Sequence, residues 1–596
     1  MQIRYTHLPT VTMAKFATES IYLDCGDGVS TDESAENATE FWIAMPPVTF
    51  SKGFTVEVTN TYGQVKTQKT NREITIARNA VKPMSTFQIR MSTSHEILDF
   101  AISDGTKEYH AFQIDTAIFI QVPNGINLSN MKVSFKHNGQ KIYRNNEETA
   151  SGEYVDLSDF SKPIRYKVES ADGELNSYGL YLFDLPILFA DTPNHYPITS
   201  KLTWIENCSF KLIENDGSTL DLGHSCQMKG RGSSSWNLPK KPYAIKLSSK
   251  KPLLGMAESK RWDLIANYRD KTLLRNDVTY MIARESEHLE WSPDGRFIEL
   301  ILNGKICGNY YLCEHIKIEQ SRLNLVEMNP ATDISGDNLT GAYLIEMTYY
   351  FDSGDKYKFY TDRLHLGATL KNPDEDVQTC QIDYIKGYLD SIETVLSNPE
   401  KLANREYLDL IDVDTYVDYW LVEELVGNFD SAKPKSTYCY KNRTGGGRDA
   451  RMKAGPVWDF DVYTFAGNTN FVMKDSLYYR YLFKDPLFVA HVKESWNGNG
   501  TNLKGLRNTA SVQKVCDYID DKYTTLKNSA SRDEAIWLIK GMNYDGYINN
   551  MKNAYKARYN WFNNAINSFV IDYDQKPGGN EDFDSQIGDG SGWTEK

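Results

Sequence analysis

No stretch of this chain approaches the ~18 consecutive apolar residues that carry a helix across a bilayer, which excludes a transmembrane helix. Zinc chemistry is excluded next. Eight cysteines, at 25, 208, 226, 307, 313, 380, 439 and 516, include no Cys-x-x-Cys, and ten histidines include no His-Glu-x-x-His. The cysteines also lack the spacing of a disulfide framework; Cys307 and Cys313 flank one strand and have at most a neighbour across a hairpin to pair with. A Gly-x-Ser-x-Gly elbow is missing, and with it the nucleophile turn of a serine hydrolase. Positive charge is in deficit: 66 Lys and Arg stand against 80 Asp and Glu, a net charge of −14. That balance sets nucleic acid and anionic membrane aside as partners and favours a basic or hydroxyl-rich polypeptide. The first residues, Met1-Gln-Ile-Arg-Tyr-Thr-His7, lack an apolar signal-peptide core, so either the protein is cytosolic or an export signal precedes this sequence.

What is present fills 596 residues, enough for three or four domains with their own cores. From Ile21 to about Met91, short alternating runs such as Phe54-Thr-Val-Glu-Val-Thr59 and Glu73-Ile-Thr-Ile-Ala-Arg78 predict a small β-sandwich, giving a first module over 1–91. A second β-sandwich is expected over 92–188, with strands at Ala117–Val122, Lys132–Lys136 and Ile164–Val168 and a hairpin tip at Asn138-Gly139. Residues 189–200 read as a linker, and a larger domain follows over 201–570. Helices are expected in it near Asp383–Leu396, Val413–Val426 and 510–569. In the last of these Tyr544, Tyr547, Met551, Tyr555, Tyr559, Trp561 and Phe562 repeat at helical intervals, as core packing does. The acidic, Gly-rich tail 571–596 reads as disordered.

Chemistry concentrates in two places. Lys229-Gly-Arg-Gly-Ser-Ser-Ser-Trp236 combines glycines that admit backbone N–H groups close to an anion, three hydroxyls and the fixed charge of Arg231. A strand-like Tyr243-Ala-Ile-Lys-Leu247 then places Lys246 on the face of Ala244. Taken alone, these residues also suit a hairpin with a Gly/Ser turn and solvated lysines. About 200 residues on, an apolar helix Val413–Val426 stops at Gly427, and Asn428-Phe-Asp430 follows it. Gly455-Pro-Val-Trp-Asp-Phe-Asp461 reads as a short strand whose two aspartates, at i and i+2, face one hard cation. The plainer readings are a turn cap for Asp430 and loop carboxylates for Asp459 and Asp461, though flanking Trp458 and Phe460 suggest burial, where unpaired charge is costly.

Taken together, the pieces resemble the CotH-type kinase family, named for the spore-coat protein H of sporulating bacteria. The Gly/Ser loop and lysine strand match at 230–247, an Asp-x-Thr-Leu-x-Arg-Asn helix start at Asp270–Asn276, and a Gly-containing hairpin at Leu302–Glu314. An Asn-aromatic-Asp at 428–430 and a Trp-Asp-aromatic-Asp at 458–461 complete five matches in order. The resemblance implies an α+β multidomain protein with a two-lobed, atypical protein-kinase-like domain that moves the γ-phosphate of ATP to Ser or Thr of a protein substrate, with Mg²⁺ or Mn²⁺. By position it implies Asp430 as the catalytic aspartate, Asp459 and Asp461 as metal-holding, and Arg231, Gly232, Ser234 and Lys246 as nucleotide-binding. Arg275 is either a structural helix arginine or a phosphate ligand, and Glu314 either meets ribose or pairs with Lys317. Where relatives carry Asn after the catalytic aspartate, this chain has Ser436, which bears on the number of metal ions; ordinary His-Arg-Asp and Asp-Phe-Gly signatures are absent. The front modules resemble immunoglobulin-like domains of bacterial surface proteins, especially in gut Bacteroidetes, which implies an exported, cell-surface or periplasmic protein with a stalk or a glycan or cell-wall contact. The alternative from another class is a non-catalytic surface scaffold with a kinase-like fold.

Overall fold

The structure, a computed structural model, describes residues 2–3, 23–24, 41–59, 65–84, 94–160, 162–352, 354–500, 504–539 and 543–571. The chain forms two compact units, Met1–Leu185 with Glu214–Ser218, and Pro186–Ile213 with Thr219–Lys596. Almost all of the 571–596 tail lies outside the described residues.

In the first unit, Val48–Phe50 pairs with Ile74–Ile76 and Thr55–Thr59 with Val65–Lys69, each antiparallel. From Ile97 to Phe183 a four-stranded and a six-stranded sheet share one apolar core that includes Ile102, Ile118, Met131, Tyr166 and Leu180. The strand Met131–His137 buries every second residue, as a pleated strand with one face on a core must. Strands fall where the alternation places them, at Ala117–Gln121, Met131–His137 and Ile164–Glu169.

The second unit is mixed α and β, and its elements are numbered here from its own first strand. A nine-stranded sheet is built from β1 (Ile187–Ala190), β2 (Ile205–Cys208), β3 (Lys211–Ile213), β4 (Thr219–Asp221), β5 (Cys226–Gly230), β6 (Tyr243–Lys251), β7 (Ser259–Ile265), β8 (Gly295–Leu302) and β9 (Lys305–Glu314), in the order β2-β5-β6-β7-β9-β8-β1-β3-β4. Only β1 and β8 run parallel within it. A five-stranded sheet follows, from β10 (Tyr343–Thr348), β11 (Lys358–Tyr360), β12 (Gly367–Asn372), β13 (Thr437–Lys441) and β14 (Met452–Ala454), in the order β11-β12-β10-β13-β14. The helices that position the site are α1 (Arg275–Arg284), α2 (Thr379–Ser397), α3 (Val413–Val426), α4 (Pro486–Asn497), α5 (Val512–Trp537) and α6 (Tyr544–Asn567).

Helix α3 is buried on nearly every side: of its residues only Asp414 is not buried. It ends at Gly427, whose φ of +68° closes the helix in the left-handed region that glycine adopts without strain. In α6 the expected stripe is inward at Tyr544, Met551, Tyr555 and Phe562, while Tyr547 is exposed.

A buried polar knot joins α5 to the sheet. Lys240, fully buried, donates to both carboxylate oxygens of Asp533, at 2.8 and 2.9 Å, and to the Asn309 carbonyl. Gly308 stands where a Cβ would lie 2.3 Å from that carboxylate, which accounts for the second glycine of the Leu302–Glu314 hairpin. Replacing Asp533 with Ala would leave a buried ammonium facing one carbonyl, at a cost of about 3–5 kcal/mol. The expected result is a large fall in the thermal midpoint, whereas Asp533→Glu, which keeps the charge, falls less.

Candidate active site

The first half of the site hangs from the ends of β5 and β6. Gly230 abuts the Trp236 ring, so closely that a Cβ would lie 2.3 Å from it, and Gly232 holds φ at +85°. The loop is pinned at both ends, by Gly230 N–H to the Ser200 carbonyl (2.9 Å) and Arg231 N–H to the Pro242 carbonyl (3.2 Å). Ser233 donates to Asp352 at 2.8 Å, and Ser234–Asn237 form a short 3-10 turn. Arg231 is thereby aimed across the cleft face of the sheet. Its Nε lies 3.4 Å from Asp263 on β7, and its guanidinium covers the Trp458 ring at 5.4 Å.

The second half is the segment after β14. The ladder stops at Ala454, and Gly455–Phe460 is not a strand, contrary to the sequence expectation. Pro456 brings no N–H to a ladder, and Asp459 takes φ of +73°, which breaks the i, i+2 alternation. A non-glycine residue in that region is strained by about 1–3 kcal/mol, and such strain persists where the surroundings dictate it. Here they do: Ser436, itself at φ +55°, donates to Asp459 Oδ2 at 3.0 Å, the buried Asn276 accepts the Phe460 N–H at 2.9 Å, and Arg275 Nη1 donates to the Asp461 carbonyl at 3.3 Å. Arg275 pairs in turn with Asp270, at 3.5 Å, whose carboxylate also takes the N–H groups of Thr272 and Arg275 and the Thr272 hydroxyl. The Asp270–Asn276 motif is thus a clamp on the 459–461 loop, with Arg275 as part of it.

Asp430 sits in a 3-10 turn just past α3, its N–H held by the Asn428 side chain at 3.1 Å. Asn428 donates to the buried Glu423 at 2.8 Å, and burial pushes the Glu423 carboxyl up to about 8. The Asp430 carboxyl is raised to about 6, by burial first and by the negative charge of Asp459 second, with Arg269 pulling the other way. Asp461 is raised well above the carboxylate range by burial, then by Asp459 and Asp270. Asp459 and Asp461, two carboxylates two residues apart in one partly buried loop, are a donor set suited to a hard divalent cation, which commonly takes only one or two protein carboxylates and completes its shell with water and phosphate. Among the described residues no group of three or more His, Cys, Asp or Glu is gathered tightly enough to hold a metal unaided.

The two halves border a small, solvent-open cleft, lined among others by Arg231, Ser235, Asn267, Asn276, Asp459 and Asp461. Of the residues singled out in the sequence, Arg231, Asp459 and Asp461 line it together, and Asp430 is electrostatically joined to Asp459. Gly232 and Ser234 shape the loop without lining the cleft. Lys246 is on the same face of the sheet, paired in register with Gln227 and Arg261, but exposed and three strand positions beyond Tyr243, about 10 Å at ~3.3 Å per residue. Glu314 has Arg322, at 3.9 Å, and the Asp294 N–H, at 3.1 Å, as its neighbours rather than Lys317.

Sequence reading did not find Asp263, Asn276 or Asn267. Asn276 lay inside a quoted motif, so its side-chain role was within reach. Asp263 had no such signal, because its link to Arg231 depends on the register of two strands and a loop.

The sequence model of a family described as "CotH kinase protein" matches residues 228–562, more than half of the chain. No curated protein matches it. Among solved structures, a Bacteroides thetaiotaomicron protein designated a glycoside hydrolase aligns at 16% identity over 30% of this chain and 54% of its own, with a TM-score of 0.15. The chain spans about half the length of that protein, and so loose a superposition carries no argument.

Proposed function

This chain belongs to the CotH kinase protein family, and from that premise we propose that it is an ATP-dependent phosphotransferase acting on Ser or Thr of a protein substrate. The observation that carries the reading is the convergence of a fixed guanidinium, Arg231, and two like-charged aspartates, Asp459 and Asp461, on one cleft with Asp430 at its edge. Phosphoryl transfer asks chiefly for charge neutralisation and in-line placement, which these side chains supply.

In this reading Arg231 takes negative charge on the phosphate chain, and the Gly/Ser loop covers it. Asp459 and Asp461 would hold the divalent cation, whose contribution when bound is to neutralise phosphate oxygens. Asp430, ionised, orients the acceptor hydroxyl and accepts its proton, and the Asn428–Glu423 pair fixes the turn from which it works. Lys246 joins the phosphate contacts if the nucleotide extends along the sheet face. The nine-stranded sheet, whose β1 takes in Ile187–Ala190, and the helical region would be the two lobes of a kinase-like domain that begins near 186 rather than at 201 and runs to about 570, with 1–91 and 92 to about 185 as two immunoglobulin-like modules before it. That arrangement suits an exported surface protein, with the modules as stalk or as glycan or cell-wall contact. Among the described residues no helix is long and apolar enough to cross a membrane.

A thermal-shift titration with Mg²⁺ and ATP tests the reading. Saturation at a hundred times Kd stabilises the native state by about 2.7 kcal/mol, and Tm should rise with occupancy. No shift at millimolar nucleotide would favour the non-catalytic scaffold instead. Labelled-phosphate transfer to Ser-rich peptides and to the chain itself then identifies the acceptor.

A further inference from the structure

Arg231 is a cation beside a site meant for another cation. Its guanidinium lies over the ring of Trp458, the residue directly before Asp459, and the charges of Arg231, Asp459 and Asp461 act on one another. Turned toward that pair, it would gain direct charge attraction to both carboxylates. It would then fill the place a divalent ion needs. Yet its ion pair is with Asp263, at 3.4 Å.

Asp263 is built to hold it. The residue is 1% exposed and sits mid-strand in β7, flanked in register by Ala244 of β6 and Cys313 of β9. One carboxylate oxygen faces Arg231; the other is 2.9 Å from His315 Nδ1. Burial works against its ionised form, but Arg231, His315 and Arg261 together outweigh it and hold the carboxyl well below the usual carboxylate range. A buried carboxylate is expensive compared with an apolar side chain of similar size, so its place here calls for a reason beyond packing.

We propose that Asp263, backed by His315, is a positioning residue that parks the Arg231 guanidinium off Asp459 and Asp461, keeping that pair open to a divalent cation while Arg231 stays turned toward the cleft. Removing the anchor frees Arg231 to bind the two aspartates itself. The defect would therefore be competitive: deleting the competitor should cure it. This rests on Asp459 and Asp461 being the cation-holding pair.

The test uses Mn²⁺ alone, up to the millimolar range, titrated into the full chain and followed by the resonance signal of free Mn²⁺ and by Tm. Asp263→Asn should weaken Mn²⁺ about tenfold, in the range of couplings between contacting residues. The double variant Asp263→Asn/Arg231→Met should regain wild-type affinity, and Arg231→Met alone should bind Mn²⁺ at least as tightly as wild type. A role confined to stability would lower the metal-free Tm without this rescue. Unchanged Mn²⁺ affinity in Asp263→Asn, a double variant as weak as the single, or weaker binding in Arg231→Met would each overturn the inference, the last even if Asp263→Asn fails to fold. Should wild type and Asp459→Asn take Mn²⁺ equally poorly, the cation assignment itself falls and the inference with it.

Discussion

Asp430→Asn should reduce phosphoryl transfer by about 10²–10⁴-fold, the usual contribution of a general base, while nucleotide affinity stays within a small factor of wild type. Asn keeps the shape and the backbone contact to Asn428 but cannot take a proton. The pH dependence has a defined sign. Ionised Asp430 is the active form, and its carboxyl is raised from 3.8 to about 6, so transfer should fall as pH drops through about 6. Stability runs the other way. A carboxyl whose folded value lies above its unfolded one stabilises the fold at low pH and loses that contribution as pH rises through about 6. Asp430→Asn should therefore raise Tm above pH 6 while it removes activity, the trade-off expected where a site is held in a costly state. Wild-type transfer by this variant, or a lower Tm at pH 7, would refute the assignment.

Asp459→Asn should remove the metal-dependent part of nucleotide binding, by roughly 100-fold or more judged against the 10–100-fold lost when only a group behind a metal ligand is changed. The amide oxygen still accepts from Ser436, so the strained loop keeps its anchor and Tm should change little. A second signature separates loss of charge from loss of shape. Asp459 is one of the two causes that raise Asp430, so in the residual activity of Asp459→Asn the acid limb should move to lower pH. Equilibrium titration of nucleotide with and without Mg²⁺ measures the first effect and a rate profile the second.

Much of this was readable in advance where a residue's partners lie close along the chain. Helix α3 and its Gly427 stop follow from local pattern, as do the alternating strands at 117–121, 131–137 and 164–169. Local pattern failed at Asp459. Its left-handed backbone is imposed by Ser436, 23 residues away, and by α1, whose Asn276 bonds Phe460 across 184 residues. Helix α3 shows no burial period at all, because a helix enclosed on all sides has none to display. Motif order alone did not give the distance of Lys246 from the cleft, because the cleft is lined by Lys240 and Pro242 just before β6 and by no residue of the strand itself.

The Glu424 carboxylate at the end of α3 collects the N–H groups of Val472, Met473 and Lys474 and the guanidinium of Arg558, which in turn caps the carbonyls of Glu424, Asn468 and Asn470. Asp430 lies six residues past Glu424, and Arg558 belongs to α6. Trimming the protein from its far end is therefore harmless only to a point. A version stopping short of Arg558 would strand a carboxylate in the interior and slacken the platform beneath the turn that carries Asp430, so any shortened form made for crystals or assays has to keep α6 whole.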